Sequence, residues 1–211
     1  MSLIVDIIII TFLFSLFGIS HSILASSKVK RILVAKLGDR IAFYRLFYNL
    51  SSILIFLFIY VVSPKPSEII YDLQFPYDMV IFVLQIFSLI GLFWTGSKID
   101  IMEFLGIGQI KRYMKGNYNK NELDEKMVFS IDGPFKFTRH PIYFFSILFL
   151  ALRPTMDMFY FIFFLNILLY FYIGSFFEER KLVEAFGQKY IDYQKTVPRL
   201  FPIKLKKVIK N

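Results

Sequence analysis

The sequence predicts an all-α integral membrane protein. About five transmembrane helices are expected, ending in a C-terminal helical hairpin and a cytoplasmic amphipathic helix. Three observations carry this expectation. Residues 7–27, 46–64, 79–97 and 158–177 contain no Asp, Glu, Lys or Arg, and each run is 19 to 21 residues long. A helix needs about 20 apolar residues to cross the hydrocarbon core. Apolar residues make up 56% of the 211-residue chain and 27 residues are Phe, more than a soluble domain can hide from water. Finally, 23 of the 25 Lys and Arg fall into segments 28–45, 98–139 and 178–211.

The elements follow in order. Run 7–27 reads as the first crossing rather than a cleaved signal peptide, since no Lys or Arg precedes it and a basic cluster follows. Segment 26–42 reads as a connector on the membrane surface, with Ile32, Leu33 and Leu37 on one side and Lys28, Arg31 and Lys36 on another. Run 46–64 leads into the proline turn Ser63-Pro64-Lys65-Pro66-Ser67. Run 79–97 completes a three-helix region, 1–97. Segment 98–140 is expected to be cytoplasmic or interfacial. Its first part mixes apolar residues with Glu103, Gln109, Lys111 and Arg112, residues 116–126 read as a polar loop, and Asp132-Gly133-Pro134 reads as a turn.

Pro141 suits a first helical position, and Arg153-Pro154 ends that helix. The charge-free run 141–152 has only 12 residues. It reads as one arm of a hairpin with 158–177, because otherwise two basic segments would lie on opposite membrane faces. From Glu178 the last helix continues as an amphipathic extension, broken at Gly187 and stopped by Pro198 and Pro202. The whole chain is read as one membrane domain in which 141–211 forms the hairpin and a ligand-binding extension. The positive-inside rule puts the N-terminus outside and the C-terminus in the cytoplasm.

Composition excludes several chemistries. The chain has no Cys, so disulfides, thiolate nucleophiles and cysteine-ligated metals are excluded, and two His residues do not suggest a metal site. The net charge of +9 follows the loop topology, so no nucleic-acid partner is expected. Anionic headgroups suit the tail lysines Lys204, Lys206, Lys207 and Lys210.

Two polar clusters flank the hairpin: Gly133 to Tyr143, and Glu178 to Leu182 followed by Phe186-Gly187, Tyr190, Tyr193 and Arg199. The start of the helix at His140-Pro141 suits a carboxylate, and Arg139 adds a fork of donors. Glu178 and Glu179 suit an ammonium or ribose hydroxyls, and Tyr143 and Tyr170 suit an adenine face. Helical rise is about 18 Å from Pro141 to Leu152 and about 30 Å from Met158 to Phe177. Counted from a tight outer turn, His140 is then expected about 12 Å short of Glu178, nearer the level of Asn166 and Tyr170. A ligand touching both clusters would be elongated, unless the hairpin tilts.

The string GPFKFTRHPIY, a hydrophobic hairpin and EERKLVEAFGQKYIDYQKTVPRLFP resembles the C-terminal core of the isoprenylcysteine carboxyl methyltransferase and phospholipid methyltransferase superfamily. The resemblance rests on Gly133-Pro134, Arg139-His140-Pro141, Tyr143, Glu178-Glu179, Leu182, Phe186-Gly187, Tyr190, Tyr193 and Arg199-Leu200-Phe201-Pro202. Phe17-Gly18-Ile19-Ser20-His21-Ser22 and Glu103-Phe104-Leu105-Gly106-Ile107-Gly108-Gln109 are similar to membrane thiol S-methyltransferases and NnrU-type proteins, which usually carry Gln where Ser20 stands.

The resemblance implies a membrane enzyme using S-adenosylmethionine, bound by Gly133, Arg139, His140, Pro141, Tyr143, Glu178, Glu179 and Tyr190. The acceptor is expected to be a small hydrophobic or lipid-like thiol or carboxylate. A thiol must ionise, which Arg180 or Arg199 would favour, and His21 could relay its proton. Two alternatives stand beside this. Sterol and steroid reductases that bind NADPH share a similar R-H-P-x-Y and an E-x-x-x-x-x-K-Y-G-like ending, and a non-enzymatic membrane accessory protein could keep a degenerate pocket.

Overall fold

The computed structural model describes residues 2–120 and 129–203. The four tail lysines and the later part of the 116–126 loop lie outside the described residues. In chain order the elements are α1 (Leu3–Ala25), α2 (Ser27–Leu37), α3 (Tyr44–Val62), β1 (Ile69–Asp72), α4 (Tyr77–Gly96), α5 (Ile101–Leu105), α6 (Ile107–Met114), α7 (Pro141–Ala151), β2 (Thr155–Asp157), α8 (Met158–Phe186) and α9 (Gln188–Thr196). Short 3-10 turns cover Gly38–Phe43 and Gly133–Lys136. The four charge-free runs coincide, to within two residues, with apolar helices of membrane length: α1, α3 (the later part of a helical stretch Ser27–Val62), α4 and α8. Their large apolar side chains point outward, among them Phe12, Leu54, Phe58, Phe87 and Phe93. That inversion of the soluble pattern is what a lipid-facing surface requires.

The chain forms two compact units. The first comprises Met1–Ile70, Ile99–Val128 and Asp157–Asn166, and the second comprises Tyr71–Lys98, Phe129–Met156 and Ile167–Asn211. In the first unit α1 packs on α3. The ring of Phe14 meets Phe56 at 5.8 Å and Phe163 at 5.3 Å, both edge-on, the arrangement ring quadrupoles favour. Ser26 caps α2 by accepting the Val29 N–H at 3.4 Å. The α5–α6 turn is strapped to α3, because Arg45 Nε and Asn49 Nδ2 both donate to the Phe104 carbonyl at 2.9 Å. Gly106 makes the strap possible. It sits at φ +92°, and a Cβ there would lie 2.6 Å from the Leu46 nitrogen.

In the second unit α4 packs on α7. Gly91 admits the Phe145 ring into α4, where a Cβ would lie 2.3 Å from it. Gln85 Nε2 donates to the Phe149 carbonyl at 3.0 Å. Pro141 occupies the first position of α7, as expected.

The structure differs from the sequence reading in two places. Residues expected to be loop form the paired strands β1 and β2. Ile69, Ile70 and Tyr71 favour extended backbone, but a four-residue strand is too short to show alternation. Within the second unit the pairing is reinforced by Thr155 Oγ1 on Asp72 Oδ1 at 2.6 Å and by the Tyr71 hydroxyl on the Arg153 carbonyl at 3.2 Å. The second difference concerns height. Residues 152–157 contain β2 in place of a tight turn, and extended chain rises about 3.3 Å per residue. The three residues of β2 rise about 10 Å, and the non-helical residues 152–154 before them lengthen the connection further, which offsets the expected shortfall of His140 of about 12 Å. The two polar clusters therefore meet directly, and His140 is level with Glu178 rather than with Tyr170.

Candidate functional site

The site lies in the second unit and is centred on Glu179. Its carboxylate is only 4% exposed and meets four donors. Oε1 accepts from Arg139 Nε at 2.7 Å and from His140 Nε2 at 3.3 Å. Oε2 accepts from Gln194 Nε2 at 2.9 Å and faces Arg199 Nη2 at 3.2 Å. Full pairing of this kind is what keeps a buried carboxylate ionised. Glu178 is the neighbouring residue on α8, so it points about 100° away. Its side chain is 48% exposed, and its Oε2 lies 3.2 Å from His140 Nδ1. The Tyr143 hydroxyl also bonds to Glu178. The two glutamates thus have separate roles, one structural and buried, the other open.

Two chain segments hold this node in register. The N–H of Arg139 donates to the Pro198 carbonyl at 3.0 Å, and that of His140 to the Arg199 carbonyl at 3.1 Å. Thr138 Oγ1 lies 2.7 Å and 2.9 Å from the Arg199 and Leu200 carbonyls. Arg139 Nη1 bonds to the carbonyls of Gln194 and Val197, each at 2.8 Å. Arg139 therefore fixes Glu179 and the end of α9 together. Gly187, at φ +56°, makes the break that lets α9 turn back toward the node.

Rings line the node. His140, Tyr143 and Phe171 stack in parallel, with centroids 5.2 Å and 4.4 Å apart. The Arg199 guanidinium lies 3.7 Å from the Phe176 ring centroid. An open hollow of about 320 Å³ is lined by Phe176, Arg180, Val183, Glu184 and Arg199 beside Glu179 and Gln194. Burial opposes charge on His140, but the carboxylates of Glu178 and Glu179 outweigh it and raise the imidazole above its ordinary value. Burial pushes the Tyr193 hydroxyl up to about 12, so it stays a donor and bonds to the Phe135 carbonyl at 2.6 Å. Tyr190 is buried against Phe129 and Tyr193, and its hydroxyl and Arg199 Nε have no partner among the described residues.

Of the expected residues, the structure brings together Arg139, His140, Pro141, Tyr143, Glu178, Glu179 and Arg199, with Tyr190 beneath and Arg180 on the hollow. Gly133 serves the preceding turn at φ +61°, where a Cβ would lie 3.3 Å from Lys98 Cε. His21 belongs to the first unit. Its Nδ1 lies 2.9 Å from Ser52 Oγ, its Nε2 lies 2.6 Å from the Tyr48 hydroxyl, and its ring stacks on Phe17 and Tyr48. Sequence reasoning missed Gln194, Phe171 and Phe176. Gln194 lies in a polar helix where nothing sets it apart, and the two Phe are hidden among 27.

The helical architecture defines a protein with four helical stretches long and apolar enough to cross a membrane, and the Arg-His/Glu-Glu node is a candidate ligand site at the start of its polar C-terminal extension. Comparison with known proteins is more specific. The chain is 30% identical over 200 residues to methanethiol S-methyltransferase 1 of Bradyrhizobium diazoefficiens, covering 93% of this chain and 67% of that relative. It is 26% identical to the methanethiol S-methyltransferase of a Pseudomonas species, covering 96% and 74%, and 28% identical to that of Pseudomonas deceptionensis, covering 96% and 73%. No family model and no solved structure matches. The chain belongs to the methanethiol S-methyltransferase family.

Proposed function

We propose that this protein transfers a methyl group from S-adenosylmethionine to the sulfur of a small, membrane-partitioning thiol. The observation that carries the reading is the convergence of Arg139-His140 and Glu178-Glu179 on one node, in a chain whose relatives are named methanethiol S-methyltransferases. The donor set fits the zwitterionic nucleoside. Glu178 is a half-exposed carboxylate suited to an ammonium or to ribose hydroxyls. Arg199 carries an Nε–H without a partner among the described residues, and the hollow beside it suits a carboxylate. Tyr143, Phe171 and Phe176 supply ring faces.

When bound, the sulfonium supplies an electrophilic methyl, whose bond to that sulfur breaks as a bond to the acceptor sulfur forms, leaving S-adenosylhomocysteine and a thioether. The protein's own groups bind, orient and exclude water. Glu179 holds Arg139, His140 and Arg199 in fixed positions, so the site is ordered before ligand arrives. Arg180 and Arg199 favour the acceptor as thiolate, since a cation nearby stabilises the ionised form. Opposite charges cancel during the transfer, so apolar surroundings that limit water favour it.

Titrating the purified protein with S-adenosylhomocysteine and with NADPH tests the reading. Saturable binding of the nucleoside thioether alone is expected. Binding of NADPH without it would move the chain to the reductase alternative.

A further inference from the structure

We infer that the segments Phe137–His140 and Pro198–Ile203 form a membrane wedge, with Phe137 and Phe201 inserted at the acyl-chain/headgroup boundary of an anionic bilayer. The depth follows from α4. Its 20 residues span about 30 Å, which matches a hydrocarbon core of about 30 Å. Trp94 stands two residues before the end of α4, about 3 Å along the axis, at the level where tryptophan is enriched. The ring of Phe137 lies 6.2 Å from that of Trp94, so the two depths differ by no more than that distance.

Phe137 is 58% exposed and Phe201 is 44% exposed, although each neighbours a buried residue, Thr138 and Leu200. Two backbone bonds, from Arg139 to Pro198 and from His140 to Arg199, hold the two segments side by side. Phe201 is seated on the first turn of α7, 6.3 Å from Phe144. Lys98 and Lys136 flank the patch; Lys136 also pairs with Asp132 at 3.6 Å, but both side chains are exposed, and such a pair is weak enough to yield to an anionic headgroup. An apolar tip with a basic rim, continuous with a spanning helix, complements anionic headgroups above acyl chains. Arg139 and His140 follow Phe137 by two and three residues, so the wedge holds the node at the depth where a membrane-partitioning acceptor concentrates. The inference rests on the membrane-spanning reading of α4 and not on the choice of acceptor.

Trp94 is the sole tryptophan, which supplies the test. The full chain is placed in phosphatidylcholine/phosphatidylglycerol vesicles brominated near the headgroup end or near the methyl end of the acyl chain. Wild-type fluorescence reports the end of α4. Phe137→Trp and Phe201→Trp, each in a Trp94→Phe background, report the wedge. Shallow bromines are expected to quench all three reporters most, with aqueous iodide having little effect. Iodide quenching of the Phe137→Trp or Phe201→Trp reporter, with neither brominated lipid acting, would overturn the wedge and leave that face open to a soluble partner. Strongest quenching by deep bromines, or an unquenched Trp94, would overturn the depth argument. Lys98→Gln with Lys136→Gln should weaken shallow quenching in anionic vesicles only. Equal weakening in neutral vesicles would overturn the assignment of anionic headgroups.

Discussion

Glu178 and Glu179 are adjacent in sequence, yet their replacement by Gln should produce different losses. At position 179 the amide keeps the volume and removes the charge. One end of the new side chain can still accept a hydrogen bond, but its NH₂ end must face donors, because both carboxylate oxygens now meet nitrogen. Arg139, whose side chain is 8% exposed, is then left without a buried counter-ion. Breaking a buried pair on one side costs about 3–5 kcal/mol, a large part of a typical stability of about 5–15 kcal/mol. Glu179→Gln should therefore lower the unfolding midpoint in detergent micelles sharply and lose nucleoside binding with it. Glu178→Gln acts on a half-exposed side chain and should cost about 1 kcal/mol of stability or less. It removes one charged hydrogen bond to ligand, worth about 1.5–3 kcal/mol, or roughly a 10- to 150-fold loss of S-adenosylhomocysteine affinity. Unfolding curves and calorimetric titration on both variants give the comparison. Equal destabilisation by the two variants, or unchanged affinity in Glu178→Gln, would refute the division of roles.

Three further outcomes are expected. The raised value of His140 means that its contribution to stability is complete below its ordinary value of about 6.5 and is lost as pH rises through the higher folded value; the thermal midpoint should fall over that window, and His140→Asn should flatten the fall. Gly91→Val should destabilise by about 1–3 kcal/mol, because the added carbons occupy the Phe145 ring's place. Gly96→Ala, where nothing lies within 4 Å, is the neutral control for that thermal measurement. Ser67→Cys should react with an impermeant maleimide added outside cells and Asn117→Cys only after permeabilisation, as the 23-to-2 charge split requires; reversed labelling would invert the topology.

Much of the fold was legible because membrane insertion is a one-dimensional constraint. Charge-free length located α1, α3, α4 and α8, while Pro141 and Gly187 marked where helices start and break. The α5–α6 strap was not legible, since its key contacts are to a main-chain carbonyl, which any residue presents. The strands failed for a related reason. Four residues carry too little periodicity, and omitting β2 produced the mistaken height of His140. In the site, the motif pattern pointed to Arg139, His140 and both glutamates. It did not separate buried Glu179 from open Glu178, because that distinction depends on which way α9 folds back. The same fold-back brings Gln194 onto Glu179, 15 residues away in sequence.

Thiol methyl transfer is tested most directly by following the label from donor to acceptor. The purified protein, reconstituted in vesicles, is supplied with methyl-labelled S-adenosylmethionine together with a small alkyl thiol, a prenylated cysteine analogue carrying a free carboxylate, and phosphatidylethanolamine. Label is expected in the volatile thioether, with Glu178→Gln raising the KM for the nucleoside. Label confined to the carboxyl ester or to the phospholipid amine, with none in the thioether, would contradict it.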